Sequence, residues 1–143
     1  MTDIQFHFNV ADRLNYGCRL LRKATRAGVR VAVVGPGGLL NRLDQALWTF
    51  EPTEFLPHLR WRGDAVPTAA QQRTPIWLLD DEALAPDCSV LLNFGATPPT
   101  SFEQFGRLID LVSADPEDRD VGRQRWKHYA SLGHKVTGFE ATA

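Results

Sequence analysis

Cysteine is scarce: Cys18 and Cys88 are the only two in 143 residues, too far apart for a C-x-x-C pair or a disulfide framework. Each reads instead as a small apolar residue, Cys18 in a helical pattern and Cys88 beside a strand. The four histidines (His7, His58, His128, His134) form no H-E-x-x-H and no Cys/His cluster, so no metal site is expected. No apolar run approaches the ~20 residues that cross a bilayer. The start, Met1-Thr2-Asp3-Ile4, has neither the basic flank nor the apolar stretch of a secretory signal. A marked excess of either charge is missing too. With 16 Lys+Arg against 17 Asp+Glu the net charge is -1 and the pI near 6.4, which excludes a global basic field for gathering nucleic acid. These absences together predict a cytoplasmic protein without membrane contact, metal or cofactor.

What is present is a strand–helix alternation. An apolar share of 43% over 143 residues supports one core, and one domain is expected over 1–143. Ile4, Phe6, Phe8 and Val10 alternate as a first strand, and Leu14, Cys18, Leu21 and Thr25 then recur at helical spacing until Gly28. Residues 29–34 are a continuous β-branched run, as in a strand covered on both faces. A short helix is expected over 41–48 and a short strand over 55–61. The small, polar, Pro-containing segment 63–74 reads as a mobile loop. Strands follow at 76–79, 89–94 and 107–112, then a helix from Asp115 to about Gly133 and an extended piece over 135–139. The pattern predicts a three-layer α/β domain with a mostly parallel sheet.

Gly35-Pro36-Gly37-Gly38 follows a strand and opens a helix, where a dinucleotide loop belongs. Leu40 stands where G-x-G-x-x-G needs its last glycine, and Pro36 removes a backbone donor from the would-be phosphate cradle. A tight turn is the better reading, and a dinucleotide-binding enzyme using Gly35 to Gly38 is the alternative. No G-x-x-x-x-G-K-[ST] loop or G-x-S-x-G elbow occurs, the Asp80-Asp81-Glu82 cluster has no histidine near it in sequence, and Ser89 and Ser101 lack an identifiable base. No catalytic residue is expected.

The last helix carries the clearest functional pattern. Arg119, Arg123 and Trp126 stand at i, i+4 and i+7 and share a face. Two permanently charged guanidiniums beside a large aromatic suit carboxylates and an apolar side chain better than proton transfer. The competing reading is a wet charged face with Trp126 turned into the core. From Arg119 to Lys135, five cations (Arg119, Arg123, Arg125, Lys127, Lys135) face Asp120 alone, which marks a local basic patch. A second candidate surface lies between residues 43 and 58, where Trp48, Phe50 and Phe55 crowd a helix end and a Pro-bounded loop. They either cap the core or anchor a partner.

Two blocks resemble the chi subunits of bacterial DNA polymerase III holoenzyme: Arg42-Leu43-Asp44-Gln45-Ala46-Leu47-Trp48 with Phe55-Leu56-Pro57-His58, and Arg123-Gln124-Arg125-Trp126-Lys127-His128-Tyr129 with Gly133. Length and element order agree across nearly the whole sequence. The resemblance implies a Rossmann-like domain that performs no chemistry and serves as an adaptor of the clamp loader. It would bind the acidic C-terminal tail of single-stranded DNA-binding protein and pair with the psi subunit, meeting DNA only indirectly. Carried over by position, the tail-binding residues are Arg119, Arg123 and Trp126, with Val112 lining the pocket, and the psi-facing surface includes Trp48 and Phe55. Arg119 replaces an expected Lys and Trp126 a common Tyr, which keeps charge and aromaticity. Direct binding of single-stranded DNA by the basic helix is a third reading, and the neutral overall charge counts against it.

Overall fold

Short all-apolar runs become the centre of a sheet, because only a strand covered on both faces can bury every side chain in succession. β2 (Val31–Val34) and β4 (Ile76–Leu79) are buried at every position, and β5 (Val90–Asn93) at three of four. The computed structural model describes residues 2–50, 55–63 and 65–141. Within them, β1 (Asp3–Val10), α1 (Arg13–Arg26), β2, α2 (Gly37–Thr49), β3 (His58–Trp61), α3 (Ala69–Gln72), β4, β5, β6 (Arg107–Ser113), α4 (Pro116–Ser131) and β7 (Val136–Glu140) follow in order. The seven strands form one sheet in the order β3-β4-β2-β5-β6-β1-β7, and every neighbouring pair is parallel. The expected "mostly parallel" sheet is thus wholly parallel among the described residues.

Alternation along each strand feeds two cores. Val31, Val33, Ile76, Leu78 and Leu92 meet Cys18 and Leu21 of α1 and Leu40, Leu43 and Leu47 of α2. Ala32, Val34, Trp77 and Leu79 meet, on the opposite face, Phe6, Leu108, Val112 and Tyr129 of β1, β6 and α4. This is the three-layer α/β arrangement. Both cysteines are buried, and burial pushes each thiol up to about 11, so neither is a thiolate at neutral pH.

The two longest helices, α1 and α4, end alike. Gly28 and Gly133 take φ of 75° and 87°, and the following residue returns its N–H to the third residue from the helix end, Val29 to Ala24 and His134 to Tyr129. A side chain at either position would be strained, which is why glycine closes both helices.

Three expected boundaries move. α2 begins at Gly37, four residues early, because burying Leu39 and Leu40 outweighs the poor helix propensity of Gly37 and Gly38. The segment expected as a mobile loop contains α3. There the Thr68 hydroxyl accepts from Gln71 N–H and the Gln71 side chain accepts from Thr68 N–H, a capping box that sustains one helical turn. β3 starts at His58, not Phe55. His58 is buried and fixed between Leu56 O (2.7 Å) and the Asp44 carboxylate (2.9 Å), tying β3 to α2. Residues 51–54 of the aromatic stretch lie outside the described residues.

Candidate functional site

The connection from β6 through α4 to β7 passes over β1, which sits between those strands. α4 therefore lies across three strands, and its spacing decides which side chains reach them. Asp115 caps the helix by accepting from Glu117 N–H (2.9 Å), with Pro116 at the first turn. Asp118 accepts from Ser113 N–H at 2.7 Å. With Glu117 and Asp118 in the first turn, the positive helix end already has its own carboxylates. An incoming anion must be met by the arginines further along.

One flank of α4, together with β1, β6 and β7, walls a groove of about 580 Å³. Val112, Arg119, Arg123 and Trp126 all line it, so the structure brings together the three residues that helical spacing singled out and the one that the family resemblance added. Trp126 is neither wet nor buried. It is 36% exposed, with its ring 5.1 Å from that of Phe6 and its outer carbons over Gly138, where a Cβ would sit at 3.4 Å. Gly122 gives the helix its closeness to the sheet, since a Cβ there would stand 2.8 Å from Val112 Cγ2. The result is an apolar floor (Phe6, Val112, Trp126) under a cationic rim.

The rim is free to exchange partners. Arg123 Nη1 is 3.2 Å from Asp120, but the side chains are 66% and 74% exposed, and such pairs contribute ~0.5 kcal/mol or less. Arg119 and Lys127 have no carboxylate partner among the described residues. Lys127 was missed as a site residue, although its i+4 spacing from Arg123 marks it. Phe6, Phe8, Asn9 and Glu140 were also missed, and no local signal places β1 and β7 beside α4.

Arg125 corrects the basic-patch count. It is 1% exposed and turned inward, where Nε and Nη2 donate to the fully buried Asp110 carboxylate at 2.8–3.0 Å and Nη1 donates to Ala96 O at 3.2 Å. Tyr129 Oη and Asn93 Nδ2 also donate to Asp110, at 3.1 and 3.3 Å. Burial pushes the Asp110 carboxyl up, and the Arg125 guanidinium opposes that. Burial, then the Asp110 charge, pushes the Tyr129 hydroxyl up, so it stays a donor. This satisfied cluster clamps α4 to β6 from the side away from the groove. Only four cations of the expected five are left for the surface.

Trp48 and Phe55 lie elsewhere, on the α2–β3 side. They are 59% and 63% exposed, and their rings are 5.3 Å apart. They form an outward pair, not a cap on the core. Phe50 is half-buried against it with the Arg22 guanidinium over its ring. At the glycine turn, a Cβ on Gly35 would stand 2.8 Å from Phe94 Cβ, so glycine is required there by core packing. Among the described residues no group of three or more His, Cys, Asp or Glu could hold a metal, and no helix is long and apolar enough to cross a membrane.

The domain is, as a class, a wholly parallel α/β fold with an apolar groove lined by three cations and Glu140. The chain belongs to the DNA polymerase III chi subunit family (HolC), whose family model matches residues 1–137. It is 27% identical to the DNA polymerase III subunit chi of Pseudomonas aeruginosa in an alignment of 141 positions that covers 95% of this chain and 94% of that one. Two solved structures share the fold alone. The C-terminal domain of the DEAD-box protein Dbp5 has a TM-score of 0.60 at 13% identity. An S. cerevisiae Dbp5 C-terminal domain in complex with Gle1 has 0.57 at 10%. Each match covers 98% of this chain and 90% of the other. The chain is thus an accessory subunit of a replicative polymerase by family.

Proposed function

We propose that this protein is a non-catalytic, cytoplasmic adaptor of the clamp-loader complex that binds the acidic C-terminal tail of single-stranded DNA-binding protein in the α4 groove. The carrying observation is the convergence of Arg119, Arg123 and Lys127 on an apolar floor of Phe6, Val112 and Trp126. Carboxylates need charged donors that cannot lose their protons, and an apolar terminal residue needs a slot it can leave water for. The groove offers both within one wall-to-wall space, and bare DNA remains an indirect partner.

The Trp48–Phe55 pair supports the psi subunit as a second partner. Two large aromatics exposed side by side are unusual on a solvated surface and typical of interface anchors. The dinucleotide alternative loses its main support, because Gly35 is explained by its packing against Phe94 and Pro36, at the N-cap of the helix that follows, has no backbone N–H to offer a phosphate.

The deciding experiment titrates an Asp-rich peptide ending in Phe against wild type and Arg123→Ala at two salt concentrations. A hydrogen bond to a charged group contributes roughly 1.5–3 kcal/mol, so the variant should bind one to two decades more weakly. The wild type should lose more with salt, since exposed charges are screened over ~10 Å at 0.1 M. Unchanged affinity in Arg123→Ala would move the site elsewhere, and equal binding of a scrambled peptide would reduce α4 to a generic basic surface. Saturable binding of NAD or ATP by calorimetry, lost in Gly37→Ala, would overturn the non-catalytic reading.

A further inference from the structure

Resting on the tail-binding reading, we infer that Glu140, the single carboxylate among the described residues that line the cationic groove, is a specificity-determining residue that admits a tail with localised negative charge and rejects a uniformly anionic chain. The groove's charged lining is Arg119, Arg123 and Lys127 on α4 against Glu140 at the end of β7. Gly138 and Glu140 stand on the same face of β7, the face that Trp126 covers, which directs Glu140 toward the groove.

The carboxylate also has a partner at this exposed edge of the sheet. Asn9 Nδ2 donates to Glu140 Oε1 at 3.2 Å across the ends of β1 and β7. Asn9 is the one described non-glycine residue with positive φ, at 60°, and it sits where the β1–β6 register shifts between His7 and Val10. Ala141 N–H donates to Phe8 O just beyond, so the end of β7 is tied to β1 on both sides of the pair. Asn tolerates the left-handed conformation better than other side chains and can reach its neighbours from it. The register shift thus turns an amide, itself part of the groove lining, onto the Glu140 carboxylate.

Two consequences follow for a bound peptide. Its carboxylates lie along α4, and the residue facing the β7 flank is neutral or basic. A chain with acid at every position cannot avoid Glu140, so it loses part of what the three cations offer. Selectivity of this kind is a difference of affinities produced by a repulsive element.

The test uses two octapeptides, one with Asp confined to its first half and Phe at its end, the other all Asp, against wild type, Glu140→Gln, Glu140→Lys and Asn9→Gly. Wild type should prefer the first peptide. Glu140→Gln should tighten the all-Asp peptide about three- to fivefold at low ionic strength and the Phe-ended peptide much less, with a larger change in Glu140→Lys and convergence at high salt. Asn9→Gly keeps the left-handed backbone and the net charge, and it should lower the preference partway by releasing the carboxylate. Equal gains for both peptides, or no gain in Glu140→Gln, would overturn this inference while leaving the tail site intact. Failure of wild type to bind the Phe-ended peptide at all would overturn both.

Discussion

Arg123 and Arg125 are two residues apart on one helix and have opposite fates. Arg123 is exposed at the groove, paired weakly with Asp120, while Arg125 is sealed against the sheet with every polar contact made to Asp110 and Ala96. Two helical positions correspond to a turn of ~200°, so neighbours of identical chemistry point to opposite sides. The lesson is a division of labour across α4: one face holds the helix still and the other faces the partner. A groove whose cations must stay placed within an ångström or so gains from a rigid back.

The sharpest way to break this comparison is to remove the inner arginine. Arg125→Ala leaves the buried Asp110 carboxyl without its counter-charge and short of its main donor, so unfolding free energy should fall by about 3–5 kcal/mol in denaturant titration. Pairing it with Asp110→Leu should recover much of that loss, because removing both charges leaves no uncompensated carboxylate. A double variant as unstable as the single one would show that the cluster's value lies in shape and not in charge.

Arg123→Ala is the counterpart and tests the outer face. Its stability should stay within about 0.5 kcal/mol of wild type, while tail affinity drops by one to two decades. Loss of stability comparable with that of Arg125→Ala would erase the distinction between the two faces.

Phe55→Ala sharpens the comparison from a distance, since that ring is on another layer. It should weaken clamp-loader partner binding by about 2 kcal/mol, with no change in tail affinity and none in the midpoint of unfolding. Unfolding of the isolated protein with no separate binding defect would place Phe55 in the core.

The smallest effect is expected for Gly122→Ala. The added methyl would press Val112, and the better helix propensity of alanine, worth about 1 kcal/mol, offsets part of the crowding. Net stability should change by about 1 kcal/mol or less, yet α4 must move from β6, so tail affinity should fall severalfold. Unchanged tail affinity would mean that the groove does not depend on the closeness of helix and sheet.

Much of this was legible in the chain. The strands at 76–79 and 107–112, the Gly28 and Gly133 helix ends, and the shared face of Arg119, Arg123 and Trp126 are local facts, set by residues within a few positions of one another. The start of α2 was not legible, because the gain from burying Leu39 and Leu40 is a tertiary term that propensity does not contain. α3 was missed because its capping box, Thr68 with Gln71, sat in a stretch whose small residues and prolines read as a loop.

The sequence by itself determined the layered α/β class, the period of each element and which chemistry α4 could present, since period 2, period 3.6 and capping are properties of short segments. Only the tertiary structure decided that β1 would lie between β6 and β7, beneath α4. That placement gives Trp126 its Phe6 and Gly138 neighbours, sends Arg125 inward to an Asp110 carried on β6, and brings Asn9 and Glu140, 131 positions apart, to one groove wall. The physical reason is that strand order is chosen by the burial of whole faces at long range, and no window along the chain contains both partners of such a contact.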